Sequence, residues 1–405
     1  MKMHTCLFKR LILSTALAAA PVLFAATSYT QVTEVSPSDP SDGQFFGLAT
    51  AINDDVAVVG APDGFDPFFV DGAGAVYVYV KSDTGWVFQQ KLVASDGPGS
   101  GGFEFGFAVD IAGNTLAVGA PGRKADGKTG AVYVFTRPDP AGPWTEQAII
   151  TSSTPRPFGM SVALRGGTLV AGALEDRVSN GAPSDTGMAF VFVRSGGDWI
   201  EQGNLISEDI PDRPRYGVSV GIRGNTVVVG AENTVFGPIT ASAVYVFSRQ
   251  GTTWSQETKL SSANNSVTFG HSVSLSGGSL LVGDPNSSAA STYEHVGHDW
   301  QLAQTVVGDP GSRFGCSVAQ REDSFLIGAN RATVGGVQSG AAYRYGLDEE
   351  TGTWTLTQTL SPADGQTGDN YGGSVSLGSI SAIVGAYRHS QPSGPVSGAA
   401  YIYLP

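Results

Sequence analysis

Gly217-Val218-Ser219-Val220-Gly221 has the Gly-x-Ser-x-Gly form of a hydrolase nucleophile. That chemistry needs a strand-to-helix elbow to expose the serine, a histidine base and an oxyanion hole. The surrounding sequence supplies none of the three. Ser161, Ser272, Ser317 and Ser374 recur at the same place in other copies of a repeat, and Ala108 replaces them in one. A position that recurs and accepts alanine reads as a small strand residue. His295 and His298, flanked by Glu294 and Asp299, have the spacing of a metal pair, but a solvated hairpin turn is the simpler reading. His271 follows a Phe-Gly pair and is expected to be packed, whereas His389 lies in a long loop with no partner in view. Cys6 falls in an N-terminal apolar stretch and Cys316 beside another Phe-Gly pair, so no internal disulfide is expected and Cys316 reads as a small buried hydrophobe. Asn264-Asn265-Ser266 and Asn286-Ser287-Ser288 fit the glycosylation sequon. On this reading the chain has no catalytic group and no metal ligand.

Residues suited to recognition are better represented. Phe65, Phe68 and Phe69 stand among Asp63, Asp66 and Asp71 in one loop. Arg123, Arg177, Arg213 and Arg215 fall in loops of the next repeats, and Arg313, Arg331 and Arg388 in later ones. Exposed aromatics and arginines are common binding anchors. The competing reading folds the phenylalanines over a rim and pairs the arginines with Asp176, Asp209 or Asp212.

The elements that hold these loops repeat. Phe-Gly or Tyr-Gly pairs occur seven times, at Phe46, Phe105, Phe158, Tyr216, Phe269, Phe314 and Tyr371, spaced 45 to 59 residues apart. Each is followed by Val-Gly-Ala or a near relative, at Gly60, Gly119, Gly172, Gly230, Gly283, Gly328 and Gly385. A unit of that length cannot bury its apolar surface alone, so neighbours must stack. In the second copy, Phe105 to Ile111 alternates and ends at the hairpin signal Gly113-Asn114. Thr115 to Gly119 is a second strand, a polar loop follows, Gly130 to Phe135 is a third, and Trp144 opens a fourth ending near Ile150. Four short antiparallel strands repeated radially describe an all-β, seven-bladed β-propeller over residues 29–405. The last copy stops after its third strand, and Tyr29 to Ser36 resembles the fourth-strand segment Gln89 to Ser95. Pairing that N-terminal strand with the last blade would close the ring and cover an edge.

The Phe46-Gly47 … Gly60-Ala61-Pro62 and Phe105-Gly106 … Gly119-Ala120-Pro121 pattern resembles FG-GAP repeat proteins, which include the N-terminal propeller of integrin α subunits and many exported microbial proteins. The resemblance covers nearly all of the chain after its leader and implies a seven-bladed propeller used in extracellular recognition or adhesion. Integrin-like members often hold calcium in an acidic loop between the first two strands. Here that place has the tight turns Gly113-Asn114, Gly166-Gly167, Gly224-Asn225 and Gly277-Gly278, and Asn53-Asp54-Asp55 and Arg321-Glu322-Asp323 are too short to supply six to eight oxygens. No cofactor is therefore expected.

Lys2, Lys9 and Arg10 precede the apolar run Leu11 to Ala26, the form of a cleaved signal peptide covering residues 1–28. No later run is long enough to span a bilayer. The formal net charge is −13, and loss of those three cations would take it to −16. Such acidity argues against nucleic acid or an anionic membrane surface as partner. The expectation is a monomeric, secreted or periplasmic, non-enzymatic module binding a protein or glycan through its loop face. A polysaccharide lyase or hydrolase, or a passive scaffold in an envelope complex, are the alternatives.

Overall fold

The computed structural model describes residues 28–405 apart from 42, 64–72, 98–102, 155, 175–186, 208–213, 234–241, 263, 298, 349, 391–393 and 395. Residues 1–27 of the leader, Phe65, Phe68, Phe69, Arg177, Arg213 and His298 lie outside the described residues. Among the described residues every regular element is a β-strand, and no helix is long and apolar enough to cross a membrane. Five sheets have four strands each, and an eight-stranded sheet joins two further sets of four through one parallel bridge between Gly130 and Phe158. Each set pairs antiparallel in chain order, as in Ala49–Ile52, Val56–Ala61, Ala75–Ser82 and Gly85–Leu92. This arrangement is consistent with a β-propeller. One set departs from chain order. Its strands Tyr371–Leu377, Ala382–Ala386 and Ala399–Leu404 are completed by Thr30–Val35, which pairs antiparallel with Ala399–Leu404.

In several sets the second strand is buried along its whole length rather than on alternate residues. Val56–Ala61, Thr168–Ala173 and Ser324–Ala329 are buried at every residue, because sheets pack against both of their faces. Core clusters accordingly mix residues of neighbouring sheets. Phe105 packs with Val76, Val78 and Leu92 of the preceding sheet and with Tyr133 of its own, ring centroids 5.1 Å apart in an edge contact. Phe46–Tyr77 and Phe158–Phe190 repeat that edge contact at 5.3 and 5.7 Å. Burying such a ring contributes about 2–3 kcal/mol, so the aromatic of each pair is a principal tie between sheets.

The glycines form the second tie. A Cβ on Gly60 would lie 2.0 Å from the carbonyl oxygen of Gly106, and one on Gly119 would lie 2.0 Å from that of Gly159. The Val-Gly-Ala glycine of one repeat thus makes room for the peptide of the Phe-Gly glycine in the next. That second glycine has positive φ, 96° at Gly106 and 94° at Gly159, which turns its carbonyl toward the neighbour. A serine three residues after the aromatic donates to the same kind of carbonyl: Ser161 to Gly217 at 2.8 Å, Ser219 to Gly270 at 2.7 Å and Ser317 to Gly372 at 2.8 Å. Ser219 therefore serves packing.

One loop differs from expectation. The polar stretch between the second and third strands of the second repeat is a continued hairpin, with strands Thr115–Ala125 and Lys128–Thr136. Asp126 and Gly127 both have positive φ, 56° and 72°. Asp-Gly suits that two-residue turn, so the signal was present in the sequence.

Candidate binding face and central cavity

On one face of the sheets, described loops that follow a second strand are hydrogen-bonded to the segments entering the aromatic-glycine pairs. Arg331 N–H donates to the Ser312 carbonyl, and Arg388 N–H to that of Asp369. The arginines on this face fall into two kinds. Arg123 is 4 % exposed, and its guanidinium holds Asp96 at 2.6 Å. Asp96 also accepts the Tyr133 hydroxyl at 2.6 Å. Burial works against the Asp96 carboxylate, yet the hydrogen bonds from Tyr133 and Arg123 hold its pKa below the ordinary value. Arg123 thus departs from the expected exposed anchor, because it ties its extended hairpin to the preceding loop. Arg215 is half-buried and paired with buried Glu232 at 2.9 Å. Glu232 also faces His271 Nδ1; burial raises its pKa, but His271 and Arg215 together hold it below the ordinary value. By contrast, Arg331 and Arg388 are exposed and make no ion pair among the described residues.

Cys316 is free and buried, and burial pushes its thiol pKa up. His389 is not the isolated loop residue the sequence suggests. It is 1 % exposed, and its Nδ1 lies 2.9 Å from the carboxylate of buried Asp369. Long-range folding supplies that partner, which no local pattern announces.

The first strands of the sets line a cavity of about 420 Å³. Arg165, Arg223 and Arg321, each the last residue of its inner strand, lie together along its wall. Partial burial and the charges of Arg223 and Arg321 pull the Arg165 pKa below the ordinary value. Sequence reasoning missed this group, although all three precede the same turn of the repeat. Asp110 lines the cavity too, and enclosure by the strands pushes its pKa up to about 6. Its Oδ2 accepts the Leu164 N–H of the next inner strand at 2.6 Å. Ser274 and Ser376, five residues after their own aromatics like Asp110, accept the Gln320 and Ile52 N–H groups at 3.0 and 3.2 Å. Asp110 is one rung in that series.

The recurring clasp of an aromatic-glycine peptide against a Cβ-less glycine is the physical content of a known repeat. The FG-GAP repeat family matches residues 29–79, 86–135, 199–247 and 354–403. The chain is an FG-GAP repeat protein. Each matched repeat begins on or just before an outer strand and ends on the third strand of the next set, so an FG-GAP repeat is staggered by one strand against the sheets. No curated protein sequence matches the chain. Among solved structures, Saccharomyces cerevisiae Sqt1 is similar with a TM-score of 0.51 and 10 % identity, over 94 % of this chain and 100 % of that one. A putative 6-phosphogluconolactonase from Bacteroides uniformis has a TM-score of 0.51 and 12 % identity, over 78 % of this chain and 85 % of that one. Both likenesses concern the fold alone.

Proposed function

We propose that the FG-GAP repeats form a closed seven-bladed propeller, exported behind the N-terminal leader, that acts as a non-enzymatic recognition or adhesion module for a protein or glycan. Closure is supported by contacts of each inner strand with the next, including Ala49–Ile52 with Tyr371–Leu377. It is also supported by the last clasp, in which a Cβ on Gly385 would lie 2.0 Å from the Gly47 carbonyl oxygen. The observation that carries the binding reading is the pair Arg331 and Arg388, exposed on one face of an otherwise acidic protein. Exposed guanidinium groups suit bidentate recognition of carboxylate or sulfate, so an acidic glycan or an acidic protein segment is the favoured ligand.

An enzyme acting on polysaccharide is the second reading, and Asp110 with its raised pKa is the feature that favours it. Among the described residues Asp110 is the only acidic one lining the cavity, and both of its oxygens accept main-chain N–H groups, from Ile111 and Leu164. A glycosidase mechanism needs two carboxyl groups. Glycan-array and native-extract pull-down binding, with wild type, Arg331→Ala/Arg388→Ala and Phe65/Phe68/Phe69→Ala, tests the recognition reading. Loss in either variant supports that face, and equal binding by all three proteins removes it.

A further inference from the structure

We propose that Glu34, Asp364 and His389 form a site for a divalent transition cation of the zinc class, at the seam between the N-terminal strand and the last sheet. One ligand atom from each of the three lies within 4.8 Å of the others. They come from separate parts of the chain. Glu34 is on Thr30–Val35 and sits opposite Tyr401 in register, Asp364 follows the strand Thr353–Leu360, and His389 follows Ala382–Ala386. A cation bound there would tie the two ends of the fold together.

The support around these ligands is what a metal site requires. A ligating imidazole is normally oriented by a carboxylate on its other nitrogen, and Asp369 does this for His389 Nδ1 at 2.9 Å. Asp369 is itself 2 % exposed and accepts the Gln366 N–H at 2.7 Å. Asp364 is positioned in turn, because its Oδ1 accepts the Tyr401 hydroxyl at 3.0 Å. The remaining histidine nitrogen, Nε2, is buried and has no hydrogen-bond partner among the described residues. It lies 3.5 Å from Asp364 Oδ2, too long for a charge-assisted hydrogen bond of about 2.7–2.9 Å. Donor atoms of a tetrahedral zinc, each about 2.0–2.2 Å from the metal, stand roughly 3.4 Å apart, so that separation suits a shared cation.

Two other repeats show what the same station looks like when a fixed cation fills it. Tyr77 and Tyr133 each donate to a loop aspartate, Asp39 and Asp96, as Tyr401 does to Asp364. There the aspartate is neutralised by Lys91 or Arg123, at 2.6 Å in both cases. The last repeat keeps the tyrosine and aspartate, puts an imidazole where the cation stands, and brings in the further carboxylate of Glu34. Two carboxylates and one imidazole leave a coordination position for water and favour zinc or its neighbours over calcium, which takes six to eight oxygens.

The test uses the full chain stripped with chelator and titrated with Co²⁺, followed by visible absorption and competed with Zn²⁺. One equivalent is expected to give the bands of a four- or five-coordinate cobalt, Zn²⁺ to abolish them, and Zn²⁺ to raise the Tm. Glu34→Gln, on an exposed side chain, is expected to keep the metal-free Tm and to weaken Co²⁺ binding at least tenfold. Asp364→Asn and His389→Gln are expected to lose the bands. Absence of the bands in wild type, or unchanged affinity in both Glu34→Gln and Asp364→Asn, overturns the proposal and leaves His389 as an imidazolium playing the part of Arg123.

Discussion

Gln358 holds both main-chain polar groups of Tyr29: its Nε2 donates to the Tyr29 carbonyl at 2.7 Å, and its Oε1 accepts the Tyr29 N–H at 2.8 Å. Gln90 clamps Trp144 in the same way, and Gln304 clamps Trp354. Tyr29 therefore occupies the position that a tryptophan fills on other outer strands. Thr30–Val35 even carries the outer-strand register shift, between Gln31 and Thr33, matching the one opposite Val78 and Tyr79. The N-terminal segment is an outer strand supplied from the far end of the chain.

Replacing Gln358 by alanine is expected to cost about 1–3 kcal/mol, for two hydrogen bonds to partly buried main-chain groups. Gln304→Ala should cost a similar amount, yet only Gln358→Ala should loosen the N-terminal strand. Native-state hydrogen exchange distinguishes them. Faster exchange of the paired amides between Thr30 and Val35 is expected in Gln358→Ala alone, and equal exchange in both variants would refute the special role of this clamp.

Gly328→Ala is expected to be severely destabilising. Its Cβ would lie 2.0 Å from the Gly372 carbonyl oxygen, and that oxygen belongs to main chain held on both sides. A cost above about 3 kcal/mol, or failure to fold, follows from overpacking between rigid elements. Gly166, on a turn where a Cβ would meet nothing within 4 Å, provides the control. Its alanine variant pays only for positive φ, about 1 kcal/mol. Urea midpoints for the two variants should differ widely, and similar midpoints would contradict the clasp.

Asp110 makes stability depend on pH in a direction opposite to most carboxylates. Its pKa is about 6 in the folded chain against an ordinary 3.8, so the folded state holds a proton that the unfolded chain has released. Between those values stability must fall as pH rises, and the cost is complete above the higher one. The shift corresponds to about 3 kcal/mol at most, and solvent screening at a site that is not fully enclosed reduces this to about 1–2 kcal/mol. Asp110→Ser keeps an oxygen on the rung, as Ser274 and Ser376 do. Its stability relative to wild type should increase from pH 4 to pH 7 by that amount. A difference that does not vary with pH would place the Asp110 titration elsewhere.

Much of the fold was legible because it rests on local signals that recur. Alternating strands, two-residue turns and the aromatic-glycine pairs each require particular residue types at particular offsets. Thr30–Val35 could be matched to an outer strand because its composition repeats that of Gln89 to Ser95. The continued hairpin through Asp126-Gly127 was legible too, but the charged residues before it masked the strand. Arg123 shows the limit: its type suggested an exposed anchor, while its partner Asp96 lies 27 residues earlier on a neighbouring loop.

The sequence by itself determined which segments become strands, their order, and the glycine positions where sheets can close on one another, since those depend on backbone freedom and side-chain size within each repeat. Only the tertiary structure decided the fate of the charges. Which arginines make no ion pair among the described residues, why the Asp110 pKa is raised, and how His389 meets Asp364 and Glu34 all depend on distances between segments remote in sequence. Electrostatic energy depends on those distances and on burial, and neither is set by residue type.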